Sequence, residues 1–183
     1  GKDSRGDQTH IAGSHGGLGW SLSHLQFRTE GFGEFERLDN TVWRGVLQAD
    51  ITPATRLHLE GREYDSDRLS ILNPADPFNY TPQEIKQHQV TWRVGLHQRI
   101  SDSQELLFVH AADYAKYTID SLVTPYNPPY APARRSVRDR VYAPEMQYRY
   151  HGTNFDFLIG QAYIRSEEDN DYDEPGTGTM TNS

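Results

Sequence analysis

Residues 41–64, TVWRGVLQADITPATRLHLEGREY, constrain this chain more than any other stretch, because they read as two alternating arms joined by one tight turn. In the first arm Trp43, Gly45, Leu47, Ala49 and Ile51 fall on one side and Arg44, Gln48, Asp50 and Thr52 on the other, with Val46 out of pattern. A period of two marks a strand, whose successive side chains point to opposite faces. After Thr52-Pro53-Ala54-Thr55, Leu57, Leu59 and Gly61 share one face and Arg56, His58, Glu60 and Arg62 the other. Each arm runs for about ten residues, longer than the usual strand and matched to the roughly 9–11 residues with which a tilted strand crosses a bilayer.

Composition narrows the choices. Over 183 residues the hydrophobic share is 35% and the mean hydropathy is -0.80, which is poor material for a self-contained dry core. Three readings fit so polar a chain: partial disorder, a soluble β protein with long loops, or a barrel with one face on lipid and the other wet. An aromatic fraction of 11% opposes wholesale disorder. A net charge of -8 and a pI near 5.4 leave no basic stripe for nucleic acid, since Arg134, Arg135, Arg138 and Arg140 form only a local cluster. The absence of cysteine removes disulfides, thiolate chemistry and Cys-based metal sites. No run of 18 apolar residues is present, which excludes a membrane helix and leaves strands open. No signal-peptide pattern opens at Gly1, so an exported protein is expected to have lost it or to carry it outside this stretch.

Residues 1–17 read as a polar N-terminal segment, with Arg5-Gly6-Asp7 a chance tripeptide in a terminal loop. Residues 18–165 read as barrel strands. In 18–32 the apolar phase slips between Leu22 and Leu25, which points to a bulge near Ser23. A long loop is expected over 65–88, with turn signals at Asn73-Pro74, Asp76-Pro77 and Tyr80-Thr81-Pro82, and one helical turn starting at Thr81. In 89–100, Val90, Trp92, Val94, Leu96 and Ile100 oppose Thr91, Arg93, His97 and Arg99. The strand that returns after Ser101-Asp102-Ser103-Gln104 has an open facing, because Leu106 and Phe108 compete with Leu107 and Val109. A second long loop is expected over 118–137. In 138–150, Tyr142, Met146, Tyr148 and Tyr150 alternate with Glu145, Gln147 and Arg149, and Pro144 is an obstacle that suits an edge or a bulge. A last strand over 155–165 precedes an acidic, then Gly/Thr-rich loop or tail over 166–183.

The tight turns near 53, 102 and 152 thus alternate with long loops in a repeat of roughly fifty residues. An up-and-down transmembrane barrel alternates short and long connections in this way. Propeller blades of similar period need about four short strands each. The expected fold is all-β: an antiparallel up-and-down transmembrane β-barrel. About seven long strands are too few to close a single-chain bacterial barrel, so the chain is expected to be part of a larger barrel or to complete one with another chain.

HLQFRTEGF, TVWRGVLQADITPATRLHLEGREYDSD, NPADPFNYTP and VTWRVGLHQRISDSQELLF resemble the outer-membrane β-barrel domains that follow tetratricopeptide repeats in proteobacterial envelope proteins. The resemblance covers residues 18–110 well and the remainder by pattern, and the chain itself shows no such repeat. It implies location in the outer membrane of a Gram-negative bacterium, with membrane lipid and the remainder of the barrel, or another envelope protein, as partners.

No catalytic or cofactor motif emerges, and neither an enzyme activity nor a cofactor is expected. The eight histidines lack metal-binding spacing. The acidic run 167–174 lacks the central glycine of a calcium loop and reads as a plain acidic loop. What remains is facing. Arg44, Gln48, Arg56, His58, Glu60, Arg62, Arg93, His97, Arg99, Gln147 and Arg149 are expected to face a lumen if Trp43, Leu47, Leu57, Leu59, Trp92, Val94 and Leu96 face lipid. Trp20, Trp43 and Trp92 are candidates for interfacial girdles. The expected role is a pore, export conduit or membrane anchor with a polar, Arg-rich lumen. The competing reading is a soluble antiparallel β-barrel or sandwich that binds a ligand or glycan through Tyr/Pro-rich loops.

Overall fold

The computed structural model describes residues 3–31, 36–71, 82–121, 134–173 and 180–182. They form β1 (Ser4–His15), β2 (Leu18–Thr29), β3 (Arg37–Thr52), β4 (Thr55–Ile71), β5 (Pro82–Ser101), β6 (Gln104–Ser121), β7 (Arg134–His151), β8 (Asp156–Ala162), β9 (Arg165–Asp173) and β10 (Met180–Asn182). All lie in one antiparallel sheet in chain order, an up-and-down arrangement with no helix among the described residues. β8 and β9 both pair with β7 end to end, so ten strands fill nine positions. The sheet is not closed: β1 and β10 are its ends.

The tight connections lie at Gly16–Gly17, 53–54, 102–103 and 152–155, all at one end of the sheet. Gly16 and Gly17 have φ of 55° and 84°. Two consecutive positive φ values are the geometry that suits a two-residue hairpin to the twist of its strands. Register shifts occur only beside the second and third turns, between Asp50 and Thr52 and between Arg99 and Ser101. Each successive turn sits about two residues further down the sheet. Leu18, just above the first turn, pairs with Ala49, and Leu57 pairs with Leu96, which in turn lies opposite Phe108 and well short of the third turn. At about 3.3 Å per residue and about 4.8 Å between strands, such a stagger tilts the strands by roughly 35°.

Several expectations need correction. β1 occupies most of the polar segment 1–17, and its pairing with β2 runs without a break from Ser4↔Thr29 to His15↔Leu18. The same unbroken register passes Ser23, so no bulge is present there. The loop expected over 65–88 is mostly strand, with β4 reaching Ile71 and β5 starting at Pro82, where strand rather than helix begins; Thr81 lies outside the described residues. The loop over 118–137 shrinks similarly between Ser121 and Arg134, and much of 166–183 is β9 and β10. The strand expected over 155–165 is divided between β8 and β9, and the count rises from seven to ten. The extensions at the strand ends over 65–71, 82–88, 118–121 and 134–137, and the added β1 and β9, are largely polar on both faces, so no apolar alternation announces them. Their backbone ladders hold regardless.

Pro144 lies inside the sheet, between β6 and the β8–β9 position, and causes the break in the latter. Glu145 pairs with Ala162 and Tyr142 with Arg165, so no residue is inserted. The Tyr163 N–H donates to the Pro144 carbonyl at 3.0 Å, but proline has no N–H to return. On its other side Pro144 is opposite His110. An antiparallel residue sends both main-chain groups to one neighbour, so the β6 ladder loses nothing.

No dry core forms. Among the described residues the buried apolar side chains are Ala115 and Val137, together with the fully buried Pro82. Trp43, Leu47, Trp92 and Val94 are 45%, 37%, 62% and 38% exposed, and among the described residues no second layer packs on them.

Candidate functional site

Cross-strand partners lie on the same face of a sheet, so the pairing sorts every side chain. Row by row, Trp20, Leu47, Leu59, Val94, His110 and Pro144 are partners, as are Leu22, Gly45, Gly61, Trp92, Ala112 and Tyr142. A third row joins Leu18, Ala49, Leu57, Leu96, Phe108 and Met146. One face is therefore a mostly apolar band next to the tight turns, interrupted by His24 beside Trp43 and by His110 beside Val94, and all seven candidates for lipid contact lie on it. Phe108 pairs with Leu96, which resolves the open facing of β6: Leu106 and Phe108 join the band, while Leu107 and Val109 lie on the other face. The three tryptophans share the band's face. Once the stagger is taken out, at about one residue per strand, Trp43 and Trp92 fall at one height with Tyr114 and Tyr142 just above. Trp20, Tyr148 and Phe157 lie near the lower edge. Further from the tight turns this face turns charged, through Asp65, His88, Lys116 and Arg138.

The eleven polar candidates all share the opposite face. Their centre is Glu60, whose carboxylate is 12% exposed and accepts from Arg44 Nε at 2.8 Å and Arg93 Nη1 at 3.2 Å, with His58 Nε2 at 3.7 Å. Nearer the turns Arg56 Nε donates to Asp50 Oδ1 at 2.6 Å. Glu105 lies 3.6 Å from His97 Nε2 and 3.9 Å from Arg149 Nη1. These three enclose a small cavity of about 180 Å³ with Leu107 and Gln147, and Gln147 donates to Glu145. Arg62 stacks over the Tyr64 ring at 5.8 Å. Arg99 donates to the Pro53 carbonyl of the neighbouring turn at 3.3 Å. Gln48 pairs with His58 across β3 and β4. Most of these arginines are held by carboxylates or carbonyls, so the face is a self-neutralised lattice rather than a ring of free cations.

Two polar centres escaped the sequence reading. Asp113 on β6 accepts from Gln89 Nε2 at 2.9 Å and from Thr91 Oγ1 at 2.5 Å; only strand pairing reveals it. Beyond the apolar band, Asp139 on β7 pairs with Ala115 and Glu168. Its Oδ1 is buried with no hydrogen-bond partner among the described residues. Burial pushes its carboxyl above the ordinary range, and Glu168 and Asp113 add to the push. On the other face, Glu63, Asp65 and His88 bring three ligand-type atoms within 4.8 Å of one another. His88 Nδ1 is 2.7 Å from Asp65 Oδ1, an arrangement that a hydrogen bond explains without a metal.

No protein-family model matches the chain, and no curated protein matches it. Among solved structures it is similar to the ferric-catecholate import receptor Fiu from E. coli K12, in its closed form, with a TM-score of 0.57 and 14% identity. The match covers 96% of this chain and 36% of the receptor, so the chain spans about a third of that protein's length. At this identity the likeness concerns the fold: an antiparallel sheet of the kind that builds an outer-membrane receptor barrel.

Proposed function

We propose that this chain is a section of the wall of a larger outer-membrane β-barrel, with its apolar band against lipid and its salt-bridged face lining a polar conduit. The observation that carries the reading is the separation of the two faces. Trp43, Leu47, Leu59, Trp92 and Val94 form an uncovered apolar surface while Arg44 and Arg93 both pair with Glu60 directly behind it. From Trp43 to Ile51 the band runs about 26 Å along the strand and stands roughly 22 Å tall at the tilt above, close to the about 25 Å band of outer-membrane barrels. Aromatic residues near both its edges suit the two interfaces.

The sheet's two ends would leave main-chain groups unsatisfied in hydrocarbon, so they pair with further strands of the same barrel. Large outer-membrane transporter barrels have about 22 strands around a plugged lumen. The likeness to Fiu supports an import receptor as the functional model, with passage of a polar solute as the role. The partners are outer-membrane lipid and the rest of the barrel, and the reading assigns no catalysis to the chain. Whether the parent polypeptide carries tetratricopeptide repeats, as the resemblance of residues 18–110 implies, is read from its full reading frame.

The test is quenching of tryptophan fluorescence in the full-length protein reconstituted with brominated lipids, with Trp20, Trp43 and Trp92 isolated by substituting the other tryptophans. Quenching at all three is expected. Three unquenched tryptophans would overturn the reading.

A further inference from the structure

Resting on that reading, we infer that Tyr64, Tyr117, Asn40, Gln87 and Gln89 form a subsite for a neutral saccharide on the wall of the conduit, on the long-loop side of the charged lattice. The lumen-facing side changes character there. The row through Tyr64 and Gln89, from Gln8 on β1 to Ala115 on β6, carries no charged side chain, and neither does the next row, from Gly6 through Asn40 and Gln87 to Tyr117. Arg44, Arg62 and Asp113 bound this belt on the side of the tight turns, Arg68 bounds it on the other, and Asp139 ends it on β7. A neutral strip thus interrupts a wall that is otherwise laced with charge.

The belt is not plain apolar surface. The Tyr64 hydroxyl donates to Asn40 Oδ1 at 3.4 Å, Gln87 Nε2 donates to Tyr117 Oη at 3.3 Å and to Gln89 Oε1 at 3.2 Å, and Gln89 Nε2 donates to Asp113 at 2.9 Å. Asn40 Nδ2 and Gln87 Oε1 have no partner among the described residues, which leaves a donor and an acceptor beside the two rings. Val137, the cross-strand partner of Tyr117, and Ala115, two residues back on the same face, are both buried, so the Tyr117 ring rises from a packed base. Leu25 and Phe27, in the same two rows, are 40% and 37% exposed on a face that meets water. A sugar ring presents an apolar C–H face edged by hydroxyls that both donate and accept, and phenol rings beside amide groups match it on both counts. An ion finds no opposite charge in the belt. A purely apolar solute would strip water from the amides and hydroxyls and replace none of its hydrogen bonds.

The experiment titrates the full-length protein in detergent with cellohexaose and maltohexaose, neutral glucose chains of β and α linkage, and reads affinity by saturation-transfer NMR. The wild type is expected to bind at least one of them, with an affinity that about 1 M salt leaves unchanged because the belt is uncharged. Tyr64→Ala and Tyr117→Ala should each weaken binding about tenfold, and Asn40→Ala combined with Gln87→Ala about threefold. Lys86→Gln, on the opposite face of the sheet, should leave it unchanged. Heat-modifiable mobility shows whether each variant is folded, and the amide double variant decides the matter if a tyrosine variant is not. Undiminished binding in the folded variants overturns the site, and so does binding that salt abolishes, which would mark an ionic ligand. Failure of the wild type to bind either chain also overturns it and would mark the belt as a packing surface for another polypeptide segment. The tryptophans separate the two readings: normal quenching without sugar binding removes this site alone, whereas absent quenching removes the barrel facing beneath it.

Discussion

Gly61 lies beneath the indole of Trp92, its cross-strand partner: a Cβ built on Gly61 would come within 2.8 Å of Trp92 Cζ3. Gly45, the partner of Gly61 on β3, has nothing within 4 Å of the same position. The two glycines floor a shallow depression of about 450 Å³, walled by Leu22, Trp43, Leu47, Leu59 and Trp92. One glycine is thus required by a ring and the other is not. Gly61→Ala should displace Trp92 and cost about 1–2 kcal/mol, as overpacking does, whereas Gly45→Ala should be neutral or slightly stabilising, since glycine weakens a strand. Trp92 emission, recorded with the other two tryptophans replaced, should shift in the first variant alone. An unshifted spectrum in Gly61→Ala would show that the ring lies elsewhere.

Leu47 and Gln48 are adjacent in sequence and lie on opposite faces. An arginine facing hydrocarbon near the midplane costs roughly 2–4 kcal/mol. Leu47→Arg and Val94→Arg should therefore impair assembly of the full-length barrel, judged by heat-modifiable mobility in detergent, while Gln48→Arg should assemble normally beside His58. Equal tolerance at all three positions would mean that the band does not face lipid.

The band was legible in the sequence and the rest of the sheet was not, for a physical reason. Alternation between Trp43 and Ile51, or between Val90 and Ile100, records a solvent on one face that differs from the solvent on the other. β1 (SRGDQTHIAGSH) and β9 (RSEEDNDYD) carry polar or small residues at almost every position of both faces, so the sequence carries no period although the ladder continues. The Gly16–Gly17 hairpin signal was present and was hidden by the polarity of β1. Pairwise features such as Asp113 with Thr91, or Lys116 with Arg138, depend on register, which alternation within one strand does not set. Pro144 is a conflict within its strand's sequence, but its placement inside the sheet follows from which neighbour its main chain faces.

Glu60 is the hinge of the polar lattice, because two half-exposed arginines converge on one nearly buried carboxylate. Glu60→Gln keeps the shape and removes the charge, which leaves Arg44 and Arg93 facing each other uncompensated. The expected cost is about 1–2 kcal/mol, below that of a fully buried pair because both guanidinium groups reach water. Adding Arg93→Gln should cost less than the sum of the two single changes, since the second removes a charge that the first has orphaned. Strict additivity in denaturant midpoints would show that the pair does not interact.

Asp139 gives a dependence on pH with a defined sign. Its carboxyl is raised first by burial and then by Glu168 and Asp113, so the folded chain holds the proton more tightly than the unfolded chain does. Stability from the neutral form is fully present below the ordinary aspartate value of about 3.9. It is lost as pH rises through the raised value, where the fold must carry a half-buried carboxylate, its Oδ1 out of contact with water, near two other carboxylates. Asp139→Asn keeps the neutral shape at every pH. It should therefore match the wild type at low pH and become progressively more stable than it as pH rises towards neutrality. Thermal midpoints of the full-length protein across that range test this. A constant offset between the two proteins at all pH values would place the effect in packing rather than in the proton.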